Sequence, residues 1–185
     1  MPNCPVCKEI HLLTNPLEDN LIAYHCLQCG GQWIRQKDYQ AWLTHKGSIL
    51  PEKAPSETVP EPLNTKQIKI CPDCGHLLLK YQVGKGTDFT LDHCSHCGGV
   101  WFDKNEWLAL KDRNLHDEVD KIITDIWQKN VRLEASRQTF QTFYLQQFGQ
   151  ADYEEIQRIK AWLSQHPKRD ALLNYLQIKD PYSGT

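Results

Sequence analysis

The chain has 185 residues, of which 40% are hydrophobic and 24% charged, with a net charge of −2. That is ordinary composition for a globular chain of one to three small domains. Acids and bases balance within residues 1–46, 66–103 and 104–185, which removes the bulk cationic excess that nonspecific nucleic-acid binding needs, and no apolar run reaches the ~18 residues of a membrane-spanning helix.

The N-terminus, "MPNCPVCKEI", lacks the basic start and apolar run of a secretory signal, so the expected location is cytoplasmic. It carries the first Cys-x-x-Cys pair, Cys4 and Cys7. Leu12 and Leu13, a turn over Asn15–Asn20, and Leu21–Ile22 predict a β-hairpin leading to a second pair, Cys26 and Cys29. Gly30-Gly31 and Trp33 follow, with Trp33 opening an outgoing strand. The first glycine is expected in the left-handed region, where it lets an amide reach a sulfur.

Residues 47–66 hold Pro51, Pro55, Pro60 and Pro62 and lack aromatics. They read as an extended linker, with a docking peptide as the alternative.

The pattern then repeats. Cys71/Cys74 and Cys94/Cys97 enclose a hairpin in which Leu77, Leu79, Tyr81 and Val83 alternate up to a turn at Gly84–Asp88, with Phe89 and Leu91 on the return. Cys4 to Cys71 is an offset of 67, whereas Cys26 to Cys94, Gly30 to Gly98 and Trp33 to Trp101 are offsets of 68. The extra residue falls between the cysteine pairs, in a loop. Two copies of one unit account for this better than coincidence does.

Helical patterns fill the rest. "DKNE", Asp103 to Glu106, is a capping box. The pattern weakens near Asn114–Asp117. Val119, Ile126, Leu133 and Phe140 then recur every seven residues, with Lys129 and Ser136 in the seam. Gly149 is expected to end this helix, Asp152 to cap the next and Pro167 to begin a short last one. The face Phe140, Phe143, Tyr144 and Phe148 either packs within its own helical region or meets a partner.

Four Cys-x-x-Cys pairs leave no cysteine over. In a reducing compartment they read as metal ligands before disulfides. Cys4, Cys7, Cys26 and Cys29 form one four-thiolate set and Cys71, Cys74, Cys94 and Cys97 the other. Units of some 40 residues bury little apolar surface and usually need a metal to fold. A complete thiolate set leaves no open position for a catalytic water, so two structural zinc ions are expected, with iron the other ion that suits four thiolates. His25, His93 and His96 lie beside the ligands and are expected around them. No nucleophile–base pair, phosphate loop or βαβ-associated redox motif appears, so an enzyme is not expected.

The Cys-Pro-x-Cys, hairpin, Cys-x-x-Cys-Gly-Gly-x-Trp-x-Asp pattern resembles the bacterial zinc-ribbon family named after transcription factor IIB. Residues Cys71, Pro72, Cys74, Cys94, Cys97, Gly98, Gly99, Trp101, Asp103 and Glu106 carry the resemblance. The first copy departs from it at two places, with Lys8 where Gly75 stands and Arg35 where Asp103 stands. Together these readings predict a small, metal-stabilised α+β fold. Ribbon 1 occupies 1–46, a linker 47–66, ribbon 2 with its following helix 67–113, and a helical region 114–185. The expected function is a non-catalytic zinc-binding adaptor or assembly factor that contacts proteins, with self-association through 117–148 as one route. The family name implies transcription-machinery or nucleic-acid binding by analogy, through Lys66, Lys69, Lys80 and Lys85. A redox-responsive zinc–thiolate protein is the third reading.

Overall fold

A computed structural model describes residues 1–18, 20–46 and 59–182. Contacts divide the chain into two units, Met1–Arg132 and Leu133–Thr185. The residues 47–58 of the expected linker lie outside the described ones.

In the first unit each copy folds as a hairpin and a short third strand. The first copy has β1 (Leu13–Glu18), β2 (Leu21–His25) and β3 (Gln32–Ile34), and the second has β4 (Leu79–Gly84), β5 (Thr87–His93) and β6 (Val100–Phe102). The single-residue offset resolves into two opposite changes. The first knuckle is one residue longer in the first copy, where Cys4 N–H donates to Ile10 O while Cys71 N–H donates to His76 O. The hairpin is two residues longer in the second, pairing Leu79 with His93 where the first copy pairs Leu13 with His25.

The turn expected at Asn15–Asn20 is much shorter. β1 runs through Asn15 and Pro16 to Glu18, with a register shift between Pro16 and Glu18. Proline is tolerated because β1 is an edge strand, where its missing N–H breaks no second ladder. The expected alternation also shifts: Leu77 and Leu79 are exposed, and Leu78 between them is buried against the cysteines.

The copies are joined. β3 pairs antiparallel with β6, matching Gln32 to Phe102, Trp33 to Trp101 and Ile34 to Val100, so that one six-stranded sheet runs β1-β2-β3-β6-β5-β4. Trp33 and Trp101 are equivalent residues of the two copies, so the pairing is two-fold about them. Successive residues of a strand face opposite ways. Ile34, Val100 and Phe102 face a core covered by α1 (Gln36–Lys46), α2 (Glu106–Asp112) and α3 (Val119–Ile122), which contribute Tyr39, Trp42, Trp107, Leu110 and Ile122. Trp33 and Trp101 belong to the second cluster, with the cysteines.

Residues 61–65 strap onto the second copy. Leu63 N–H donates to Lys104 O (2.9 Å) and Asn105 Nδ2 to Glu61 O (3.1 Å). The strap's Thr65 N–H reaches Asp103 Oδ2 (2.7 Å). That carboxylate also accepts from Lys69 Nζ (3.1 Å), while Trp101 Nε1–H takes its other oxygen (2.7 Å). Half of the expected capping box therefore forms. Glu106 Oε2 accepts the Asp103 N–H at 2.8 Å, but the Asp103 side chain is engaged elsewhere and α2 begins at Glu106.

The second half of the chain is helical. After α3, α4 (Asp125–Phe148) is fixed at its start by Trp127 Nε1–H to Val83 O (2.9 Å) and Gln128 Nε2 to Gln82 O (2.9 Å). Gly149 ends it, at φ 79°. α5 (Gln150–Ser164) starts two residues before Asp152, which sits in its first turn instead of capping it. α6 is Arg169–Gln177, so Pro167 precedes the helix without beginning it. Among the described residues no helix is long and apolar enough to cross a membrane.

Glu106 is fully buried. Burial, then the Asp103 carboxylate, pushes its carboxyl from the ordinary 4.5 to about 9. The folded chain therefore holds a proton here that the unfolded chain releases above about 4.5. Its contribution is complete below that pH and is lost as pH rises towards about 9. Glu106→Gln should abolish this slope. The variant's midpoint temperature relative to wild type should climb between pH 6 and pH 9 (about neutrality and above), measured by thermal denaturation of both zinc-loaded proteins.

Candidate metal centres

Each copy presents four knuckle cysteines from two tight turns. In every turn the backbone closes four residues on: Lys8 N–H to Cys4 O (2.8 Å), Gly30 to Cys26 (2.9 Å), Gly75 to Cys71 (3.0 Å) and Gly98 to Cys94 (2.8 Å). All four closing residues have positive φ: 61° at Lys8 and 72–74° at Gly30, Gly75 and Gly98. Beyond Gly30 and Gly98, the backbone N–H groups of Gly31 and Gly99 act to lower the thiols of Cys29 and Cys97.

The side chains converge. The Sγ atoms of Cys4, Cys7, Cys26 and Cys29 all lie within 4.8 Å of one another, as do those of Cys71, Cys74, Cys94 and Cys97. Individual separations are 3.6 Å (Cys4–Cys29), 3.8 Å (Cys7–Cys26), 3.5 Å (Cys71–Cys97) and 3.4 Å (Cys74–Cys94). Four sulfurs held tetrahedrally about 2.3 Å from one zinc ion stand about 3.8 Å apart. Both donor sets therefore fit a structural zinc ion. Among the described residues these are the two groups able to hold a metal, and no histidine belongs to either. His25 and His93 flank the cages, and His96 stacks on His76 with ring centroids 4.0 Å apart.

Electrostatics divides the thiols. Burial pushes those of Cys4, Cys71 and Cys97 up, and that of Cys29 to about 11. At Cys26 and Cys94 burial acts the same way but is outweighed by inward N–H groups, from Cys29 and Gln28 in one and Cys97 and His96 in the other, and both thiols fall below their ordinary value.

The glycines after the second knuckle serve the seam. A Cβ on Gly31 would overlap the Trp101 ring, and one on Gly99 the Trp33 ring. Both tryptophans are fully buried. Trp101 finds its hydrogen-bond partner in its own copy, Asp103. Trp33 cannot, because Arg35 stands at that position. Its Nε1–H donates to Asp73 Oδ2 (2.9 Å), and Arg35 grips the same carboxylate through Nε (2.8 Å) and Nη2 (2.7 Å). The guanidinium also lies over the Tyr24 ring, 4.3 Å from its centroid. Sequence reasoning missed Asp73. Aligned copies do carry a signal, since Val6 and Arg35 stand where Asp73 and Asp103 stand. α1 forms regardless, with Asp38 and Tyr39 N–H groups bonded to Arg35 O.

The lysines considered for nucleic acid are largely engaged. Lys69 is fully buried between Asp92 and Asp103, Lys80 pairs with Asp92 (3.0 Å), and Lys85 pairs with Glu118 (3.3 Å) and lies over Trp127. Phe89 is in the core.

Residues 3–45 and 70–113 each match the family model described as transcription factor zinc-finger, of the transcription-factor-IIB zinc-ribbon type. No curated protein and no solved structure matches the chain.

Zinc binding must displace protons from these thiols, so acidification should release metal from both centres and raising the pH should restore it, read by a chromogenic chelator. The positive φ at the closing residues gives a second test. Nothing lies within 4 Å of a Cβ at Gly75, so Gly75→Ala should cost only the backbone strain, ~1 kcal/mol. Lys8→Gly should gain ~0.5 kcal/mol, reduced by glycine's freedom in the unfolded chain. Denaturant titration of the zinc-loaded variants measures both.

Proposed function

We propose that these two tandem zinc ribbons of the transcription-factor-IIB type form one non-catalytic scaffold that presents the C-terminal helices to a protein partner. The observation that carries this reading is the near absence of a core in those helices. Among the described residues from 133 onward, Leu163 is the buried one. α4 buries none of its 24 residues. Phe140, Phe143, Tyr144 and Phe148 are 59%, 54%, 42% and 39% exposed, and Trp162 of α5 is 56% exposed. Helices in water owe most of their stability to packing an apolar face, so this region gains stability by docking. Its balanced charge fits a protein surface better than phosphate.

The zinc–thiolate sets favour a structural role for the metal because four protein ligands complete the tetrahedron. A nucleic-acid role draws little support, with Lys69, Lys80 and Lys85 paired to carboxylates. Self-association through α4 is one form the docking can take.

Affinity purification should recover a specific protein with the full chain, or a second copy of it. Phe140→Ala with Phe143→Ala and Tyr144→Ala should lose that protein while keeping two zinc ions per chain. Equal recovery by both forms, or a full chain that is monomeric and partnerless, would count against the proposal.

A further inference from the structure

The two metal centres are not separate objects. All eight cysteines pack into one apolar cluster with Trp33 and Trp101, and the contacts cross between copies. The Trp101 ring rests on Gly31, two residues past the ligand Cys29, and the Trp33 ring rests on Gly99, two past Cys97. Asp73 stands between the ligands Cys71 and Cys74. Its carboxylate accepts three hydrogen bonds from the first ribbon, at 2.9, 2.8 and 2.7 Å, from Trp33 Nε1 and from Nε and Nη2 of Arg35. The strand leaving the first cage thus fixes the first knuckle of the second.

These parts are shared between the two copies. β3 and β6 have three residues each, too few to hold their position unpaired. A ribbon without its metal is expected to lack a stable fold. When one cage closes, it orders β3 or β6, sets the tryptophan against which the other cage's glycine packs, and positions the Arg35–Asp73 pair. The conformational entropy of the shared parts is then spent once, and the second ion meets ligands already arranged.

We infer that the two centres load as one cooperative unit, coupled through the Arg35–Asp73 pair and the crossed tryptophan–glycine contacts, with Asp73 the positioning residue of the second centre. The proposal concerns metal loading and stands apart from the identity of any partner.

The test titrates Zn2+ into the metal-free full chain and counts species by native mass spectrometry at one ion per chain. Independent sites, equal or unequal, leave at least about half of the chains singly loaded. Wild type should show mostly empty and doubly loaded chains, with the second ion bound about tenfold more tightly than the first. Arg35→Ala and Asp73→Asn should each raise the singly loaded species towards half while still taking two ions at saturation, and the double variant should do no more than either alone. If Arg35→Ala fails to take two ions, Trp33→Phe removes both the N–H to Asp73 and the indole atoms that pack on Gly99, and so cuts the coupling by its other route. A rise in its singly loaded species supports the coupling. A wild type that fills statistically, or variants whose distribution matches wild type, overturns it.

Discussion

Three residues of β3 pair with three of β6, and the zinc-ribbon unit is arranged about that seam. The pairing places Trp33 against Trp101, stacks each ring on the other copy's glycine, and turns the alternate residues Ile34, Val100 and Phe102 into the helix-covered core. Truncating a fully buried tryptophan typically costs ~3–5 kcal/mol, and each ring here supports both copies. The sheet that results has the cysteine cluster on one face and an aromatic core on the other. Two small modules that would each bury little surface alone share a single interior.

The polar interior of the second ribbon follows from the same arrangement. Asp103 satisfies the buried Trp101 N–H, so it must itself be buried, and Lys69 lies against it and Asp92. Buried charges are costly unless paired and hydrogen-bonded. Here Lys69 and Lys80 face Asp92 and Asp103, and the strap closes the site through Thr65. Glu106 adds no charge while its carboxyl stays protonated, and its role is to accept the Asp103 N–H. The residue that looked like a solvent-facing cation in the sequence, Lys69, is one of the most buried side chains in the chain.

The metal centres were legible because their chemistry dictates local spacing. Two thiolates delivered to one ion by a single tight turn fit the Cys-x-x-Cys spacing, and a following left-handed residue leaves Gly30, Gly75 and Gly98 in plain view. The hairpins and helices were legible in kind but shifted at their ends. Pro16 reads as a turn residue until β1 is known to be an edge strand, and Asp103 reads as a cap until Trp101 and Lys69 claim its oxygens. The seam was hidden for a different reason. Strands as short as Gln32–Ile34 and Val100–Phe102 carry no periodicity, and only their central pair, Trp33 and Trp101, lies at the 68-residue spacing of the repeat. Arg35 looked like damage to the motif because the residue that answers it, Asp73, sits in the other copy.

That last pair separates this molecule from a symmetric dimer of single ribbons. In an isologous dimer every contact occurs twice, so any residue that suits one side must suit the other. Joining the halves in one chain lifts that requirement. Arg35 meets Asp73 on one side of the axis, while the equivalent positions on the other hold Asp103 and Val6. One half is thereby free to keep a self-contained tryptophan–aspartate bond and the other to reach across, although the strand pairing at the centre stays two-fold. A chain built this way has a defined left and right, and a change made in one half need have no counterpart in the other.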